Sequence, residues 1–166
     1  MNLLVLRHDA AEPRDPSAGP DADARRSLTD DGRKRARRAA RAIVRLVEKL
    51  DVLGSSGLRR ADETAELLAA ALGGVKVQQV AALEPGAAPQ ALATWLRGLD
   101  GAQTVGIVGH EPGLSEFVTW LVSGLSTPWL ELGKGGACLV EIPGRIAPGE
   151  ARLAWLLRPD QLRRLR

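Results

Sequence analysis

Residues 3–13 read LLVLRHDAAEP, a run of four apolar residues that ends on an arginine and a histidine. A compact apolar run of this kind predicts a strand that is buried on both faces. Arg7 and His8 then lie at the carboxyl end of that strand, where α/β proteins bind their ligands. Asp9 follows at once and poses a question, because a carboxylate next to an anion-binding histidine would repel the anion.

The same arrangement occurs again in residues 104–110, which read TVGIVGH and precede a helical pattern. Elsewhere, short strand-like runs alternate with helices of ten or more residues, which is typical of an α/β domain with a mainly parallel sheet. The predicted strands lie within residues 2–7, 51–55, 75–83, 104–109, 137–142 and 151–159, and the predicted helices within residues 27–50, 59–72, 88–99 and 113–125.

Length and composition favour one globular domain over residues 1–166. A single cysteine cannot form an internal disulfide, so we expect a reducing, cytoplasmic compartment. No apolar run approaches the roughly 20 residues of a membrane span, and the N-terminus lacks the layout of a signal peptide. The net charge of +3 admits acidic partners, but only one Phe and four Trp are present, which argues against a platform that stacks nucleic-acid bases.

The chain has two histidines, and each follows a predicted strand. Because the carboxyl ends of parallel strands share one edge of a sheet, we expect His8 and His110 to face the same crevice. Arg59 and Arg60 follow another strand and turn. Histidines that can attack phosphorus and arginines that match phosphate oxygens predict a site for a phosphoryl group, to which the long segment 10–27 would contribute. The adjacent arginines would repel a cation, so we expect no metal.

Several segments in order along the chain resemble the SixA-type phosphohistidine phosphatase branch of the histidine phosphatase superfamily. VLRHDAAEP (5–13) is similar to its Arg-His-Gly signature, and VGHEPGLSEF (108–117) to a further signature that carries a histidine. The other matching segments are RSLTDDGRKRA (26–36), SSGLRRADETA (55–65), GKGGACLVEI (133–142) and ARLAWLLRPDQL (151–162).

This resemblance implies a phosphoglycerate mutase-like, three-layer α/β/α sandwich and a site that needs no cofactor. It implies that His8 is the phosphorylated nucleophile and that Arg7 and Arg60 clamp the phosphate. His110 would bind the substrate and stabilise the transferring group. Arg60 is preferred to Arg59 because it directly precedes the matching Ala-x-x-Thr.

Two residues depart from the family pattern. Gly57 replaces a proline, which affects a turn, and Asp9 replaces the glycine or alanine of the first signature. Successive side chains alternate along extended chain, so we expect Asp9 to turn away from the phosphate. It could instead bond a site arginine or His8, act as an acid, or repel anions. Glu84 and Asp9 are the leading candidates for a general acid, followed by Glu111 and Glu12.

The leading hypothesis is therefore a metal-independent phosphatase that acts, as a monomer, on phosphohistidine carried by a protein. The first alternative is a phosphatase of small phosphorylated metabolites, nucleotides or short polyphosphates. The second is a module that binds phosphate or nucleic acid without turnover.

Overall fold

A six-stranded sheet forms the centre of residues 1–17 and 19–165, the part of the chain that the computed structural model describes. The strands are β1 (Asn2–Arg7), β2 (Val52–Ser55), β3 (Val77–Gln79), β4 (Thr104–Gly109), β5 (Ala137–Glu141) and β6 (Arg152–Leu157). Their order across the sheet is β3-β2-β4-β1-β5-β6. The neighbours from β3 to β1 are parallel, and β5 and β6 add to that edge in antiparallel fashion. The predicted, mainly parallel sheet is confirmed.

Helices cover both faces of this sheet. They are α1 (Pro20–Ala24), α2 (Asp30–Ile43), α3 (Arg59–Ala71), α4 (Pro89–Arg97), α5 (Gly113–Ser123) and α6 (Pro159–Arg164), with a 3₁₀ turn over Ala81–Leu83. One apolar core lies against α4 and α5 and contains Phe117, while the other lies against α2, α3 and α6 and contains Ile43. The architecture is the expected α/β/α sandwich. No helix among the described residues is long and apolar enough to cross a membrane.

The elements form where local chemistry and burial agree. Leu3, Leu4, Val5 and Leu6 of β1 are all buried, as expected for a strand between two helical layers. The side chain of Thr29 accepts a hydrogen bond from Gly32 N and so caps α2 at its N-terminus.

Two short helices differ from the sequence-based expectation. The segment 10–27 is not wholly irregular, because α1 forms within it and Ala11 pairs with Leu28 in an isolated bridge. The C-terminal segment forms α6, whose Leu162 is fully buried in the core beside α2. Helices of five or six residues are marginal by themselves, and packing rather than periodicity stabilises them.

The register of β1 and β4 positions the candidate site. Arg7, the last residue of β1, pairs with Gly109, the last residue of β4. His8 and His110 therefore leave the sheet side by side, although about a hundred residues separate them in the chain. On the other side of β4, Ser55 at the end of β2 pairs with Val108, which places Ser56 next to His110.

Candidate active site

His8 and His110 lie against each other at the carboxyl ends of β1 and β4. Their ring centroids are 4.8 Å apart, with 55° between the ring planes. Each residue is only 7% exposed. The structure thus brings together the two histidines that the strand-end pattern assigned to a common crevice.

A main-chain contact fixes the tautomer of His8. Its Nδ1 lies 2.6 Å from the carbonyl oxygen of Asp9. A carbonyl oxygen can only accept a hydrogen bond, so Nδ1 carries the proton and Nε2 keeps its lone pair. Burial, together with the positive charges of Arg60 and Arg7, lowers the pKa of His8 from 6.5 to about 4. The ring is therefore neutral near pH 7, with a free Nε2 that can act as a nucleophile.

His110 is held by a serine at the end of the neighbouring strand. Its Nε2 lies 2.8 Å from Ser56 Oγ, and this hydroxyl in turn accepts a hydrogen bond of 3.3 Å from Leu58 N. Burial lowers the pKa of His110 to about 3, with the nearby His8 and Arg60 adding to the effect. His110 is therefore a fixed, neutral imidazole beside the ring of His8.

Arg60 reaches the site from the first turn of α3. Its Nη1 donates to the main-chain oxygen of Asp23 over 2.8 Å, and its Nη2 donates to Asp23 Oδ2 over 3.2 Å. Arg59 points outward instead and pairs with Glu63 over 3.2 Å. Of the two arginines that the sequence offered, the structure brings only Arg60 to the histidines.

Arg7 is anchored by the loop before β5, where its Nη1 donates to Leu132 O over 2.6 Å. The Nε atoms of Arg7 and Arg60 are buried, and neither has a hydrogen-bond partner among the described residues. A buried donor without a partner is unfavourable by about 1–3 kcal/mol. Both arginines thus retain donor capacity that an anion can satisfy.

The two histidines and the two arginines line one cavity of about 310 Å³, which three further cationic side chains also line. The sequence did not predict these three. They are Arg14, Arg26 and Lys134. Arg14 and Arg26 come from the segment 10–27. The sequence predicted that this segment contributes to the site, but not which of its residues do. Lys134 lies in the segment GKGG (133–136). The glycines around it indicate a tight turn, and this was the feature of the sequence that could have pointed to Lys134.

The turn at Gly135 holds Lys134 near His8. Gly135 N donates to the carbonyl oxygens of both Arg7 (3.1 Å) and His8 (3.2 Å). Its φ of +77° lies in the left-handed region that glycine adopts without strain. The loop before β5 is therefore tied to the end of β1, and Lys134 lines the cavity that holds His8 and His110.

The side chain of Asp9 turns away from this cavity, as the alternation of side chains predicted. The residue is 1% exposed, and its Oδ1 accepts a hydrogen bond of 2.7 Å from Ala10 N. Arg35 of α2 lies 3.6 Å from the same oxygen. Burial raises the pKa of the carboxyl group. The main-chain carbonyl of Asp9 thus accepts the hydrogen bond from His8 Nδ1. Its carboxylate points the other way, towards Ala10 N and Arg35 of α2.

The remaining candidate carboxylates lie in different places. Glu111 lines the cavity, but it accepts hydrogen bonds from Ser115 Oγ (2.6 Å) and Leu132 N (3.0 Å). Glu84 lines a second cavity, which adjoins the first at His110. Glu12 is exposed and lines neither cavity, since only its main-chain oxygen contacts the site region through Arg26.

Comparisons with known proteins agree with this arrangement. The family model described as "Histidine phosphatase superfamily (branch 1)" matches residues 3–84, which include Arg7, His8 and Arg60. An uncharacterized protein from Picosynechococcus sp. is 33% identical over 138 residues, which cover 82% of this chain and 82% of that protein.

The fold is shared with several phosphatases of known structure. A protein histidine phosphatase SixA complexed with tungstate aligns over 98% of this chain and 99% of its own, with 22% identity and a TM-score of 0.81. The alpha-ribazole phosphatase from Shigella flexneri aligns over 96% and 97% of the two chains, with 17% identity and a TM-score of 0.69. The chain therefore belongs to the histidine phosphatase superfamily, and its fold is similar to that of SixA.

Proposed function

We propose that this protein is a metal-independent phosphatase that works through a phosphorylated His8 and removes phosphate from phosphohistidine on a protein. The observation that carries the proposal is the tautomer of His8. Its Nδ1 donates to the Asp9 carbonyl, so Nε2 is unprotonated in a cavity lined by five cationic side chains. That density of positive charge attracts a phosphoryl dianion and repels a metal cation.

In the first step, His8 Nε2 attacks phosphorus and the P–N bond of the substrate breaks. A substrate imidazole that is protonated on its distal nitrogen leaves as a neutral ring. His8 then carries the phosphoryl group on Nε2 and a positive charge on its ring, which strengthens the hydrogen bond from Nδ1 to the Asp9 carbonyl. Water next attacks phosphorus, the Nε2–P bond breaks, and phosphate leaves with the protons of the water.

Arg7, Arg60 and His110 bind the three oxygens of the transferring group. The two guanidinium groups supply charged donors, including the buried Nε–H groups that have no partner among the described residues. His110, fixed by Ser56, faces the reacting ring and stabilises the charge that spreads over the oxygens in the transition state.

The carboxylates of this cavity favour phosphohistidine over phosphate esters. Asp23 and Glu111 both line the cavity and both accept hydrogen bonds from other protein groups. An ester releases an alkoxide that needs a proton from an acid, whereas a protonated phosphohistidine releases a neutral imidazole. Carboxylates that already accept hydrogen bonds are poorly placed to donate a proton. The site therefore suits the hydrolysis of phosphohistidine better than that of a phosphate ester.

A second candidate function is the hydrolysis of small phosphate esters, and the position of Glu84 favours it. This exposed carboxylate lines the cavity that adjoins His110, on the side where a leaving group would depart. Glu84 would then be the general acid. Glu84→Gln should lower the turnover of esters such as phosphoserine while leaving that of phosphohistidine within about threefold.

The direct test is phosphate release from a phosphohistidine-carrying protein in the presence of EDTA. His8→Ala should lose on the order of a thousandfold or more in kcat, as expected when a nucleophile is removed. Arg60→Ala should lose about a hundredfold in kcat/KM, while the matched variant Arg59→Ala, which changes an outward-facing residue, should stay near the wild type. Full activity of His8→Ala would refute the proposal, and loss of wild-type activity with EDTA would refute metal independence.

A further inference from the structure

The cavity lined by Arg7, His8, Arg60 and His110 is called the phosphate cavity below, since the proposed function places the phosphoryl group there. A second cavity, also of about 310 Å³, adjoins the phosphate cavity and shares three residues with it. The shared residues are Pro85, His110 and Glu111. His110 is more than nine-tenths buried and lines both spaces, so a group bound in the second cavity would adjoin a phosphoryl group held between His8 and His110. We call this second space the leaving-group cleft.

The walls of the leaving-group cleft are apolar and come from two helices and one turn. The turn before α4 contributes Leu83 and Pro85, α4 itself contributes Leu92, and α5 contributes Leu114 and Phe117. Leu83, Leu92, Leu114 and Phe117 are each at most 5% exposed. Ligand cavities in proteins range from about 300 to 1,000 Å³, so this one suits a compact, partly apolar group such as an imidazole ring.

The charge of the leaving-group cleft is opposite to that of the phosphate cavity. Its lining includes the carboxylates of Glu84, Glu111 and Glu116, and among the described lining residues there is no lysine or arginine. The carboxylate of Glu111 already accepts hydrogen bonds from Ser115 Oγ and Leu132 N. Glu84 and Glu116 make no ion pair with any residue in 1–17 or 19–165. Their negative charge is therefore available to a group at the cleft.

We infer that the leaving-group cleft receives the imidazole of the substrate phosphohistidine and selects substrates in which that imidazole is flanked by positive charge. The phosphoryl group would sit among the cations and the leaving imidazole against the apolar wall. Glu84 and Glu116 would face the residues next to the phosphohistidine, where lysine or arginine is attracted and a carboxylate or second phosphate is repelled. This inference rests on the proposed function and adds the class of substrate.

Three small phosphoramidates test the effect of the charge next to the imidazole while the bond that breaks stays the same. N-phosphoimidazole is uncharged beyond the phosphoryl group, N-phosphohistamine adds an ammonium group, and N-phosphoimidazole-4-acetate adds a carboxylate. All three break the same P–N bond. We expect kcat/KM for the histamine compound to exceed that for the acetate compound by about tenfold at low salt, with most of the difference in KM. Raising the ionic strength should reduce the ratio.

A positive charge introduced on the cleft wall tests whether the preference between the charged substrates arises at the leaving-group cleft. Ala88 is exposed, lines the cleft and immediately precedes α4. Ala88→Lys should reduce the ratio between the two charged substrates about fivefold, mainly by improving the acetate compound. Ala91→Lys makes the same change on an exposed residue of α4 outside the cleft and should leave the ratio unaltered. Glu116→Gln should shift the ratio in the same direction as Ala88→Lys.

The outcomes distinguish the inference from the function on which it rests. Turnover of N-phosphoimidazole with no preference between the charged compounds would overturn the inference and leave the phosphatase intact. A preference for the acetate compound, or equal effects of Ala88→Lys and Ala91→Lys, would also overturn it. No turnover of the three compounds, with a phosphohistidine-carrying protein still hydrolysed, would likewise overturn the inference, because the cleft would then not accept the imidazole. No turnover of either kind of substrate would instead refute the proposed function.

Discussion

Arg60 donates two hydrogen bonds to Asp23, one to its main-chain oxygen over 2.8 Å and one to its carboxylate over 3.2 Å. The same carboxylate accepts a hydrogen bond of 2.9 Å from Arg26 Nε. An anion of the chain itself is thus bound to an arginine of the phosphate cavity. Asp23 lies in α1, within the segment 10–27, so this segment covers the site through a contact that phosphate would have to share or displace.

The charge of Asp23 should weaken phosphate binding. Asp23→Asn keeps an acceptor oxygen for Arg60 but removes a negative charge from the cavity, and inorganic phosphate should bind about tenfold more tightly as a product inhibitor. Asp21→Asn changes the same charge on the exposed side of α1 and should leave the inhibition constant within about twofold. Weaker phosphate binding by Asp23→Asn would show that the carboxylate instead holds Arg60 in its working position.

The two buried histidines should make the protein less stable in mild acid. In the unfolded chain they bind protons near pH 6.5, whereas in the folded protein their pKa values lie at about 4 for His8 and about 3 for His110. Between these values the unfolded state binds more protons, so the free energy of unfolding falls as the pH is lowered below 6.5. The loss from pH 7 to pH 5 is about 2 kcal/mol for each histidine.

Urea unfolding at the two pH values measures this loss. His8→Gln removes one titrating group and should reduce the difference in unfolding free energy between pH 7 and pH 5. Asp9 works in the opposite direction, because burial raises its pKa and protonation then favours the folded state. An unchanged pH dependence in His8→Gln would contradict the burial of a neutral His8.

Gly135 should be essential for the turn that fastens the loop to β1. Its φ of +77° disfavours alanine, and a Cβ added there would also collide with Oδ2 of Asp9. Gly135→Ala should lower the free energy of unfolding by about 2 kcal/mol or more and reduce kcat, since the loop aligns Arg7 and His8. Gly74 has a similar φ of +89°, but a Cβ added there would meet no atom within 4 Å. The loss of stability in Gly74→Ala therefore measures the cost of the backbone conformation without a side-chain collision. Equal losses in the two variants would exclude the contact with Asp9.

The carboxylate of Asp9 should have little direct effect on catalysis. Asp9→Asn keeps the main-chain carbonyl that accepts from His8 Nδ1, and the side chain faces Ala10 and Arg35 rather than the cavity. We expect kcat/KM on phosphohistidine to remain within about threefold of the wild type. A loss of a hundredfold, with the melting temperature unchanged, would mean that the carboxylate takes part in the reaction.

The sequence predicted those parts of the site that depend on the sheet. Buried parallel strands appear as apolar runs, and the residues that follow them share one edge, which is why His8 and His110 could be paired from the sequence. Arg60 could be chosen only through the family motif, because Arg59 has the same chemistry and the helix face decides which of the two points inward.

The contacts made by loops could not be predicted in the same way. Asp23 meets Arg60 across 37 residues of chain, and no periodicity marks that contact. Lys134 reaches the cavity only because Gly135 turns and binds the end of β1. The side-chain direction of Asp9 was predicted from alternation, but its packing against Gly135 depends on tertiary structure.

The most direct test of the central claim is to trap the enzyme during turnover and locate the phosphoryl group. Phosphohistidine survives alkali and decomposes in acid, so the reaction is quenched at high pH and the protein is examined by mass spectrometry and ³¹P NMR. We predict a transient phosphoryl group on Nε2 of His8, which is absent in His8→Ala. Steady turnover with no phosphate on His8, or a phosphoryl group on another residue, would contradict the account.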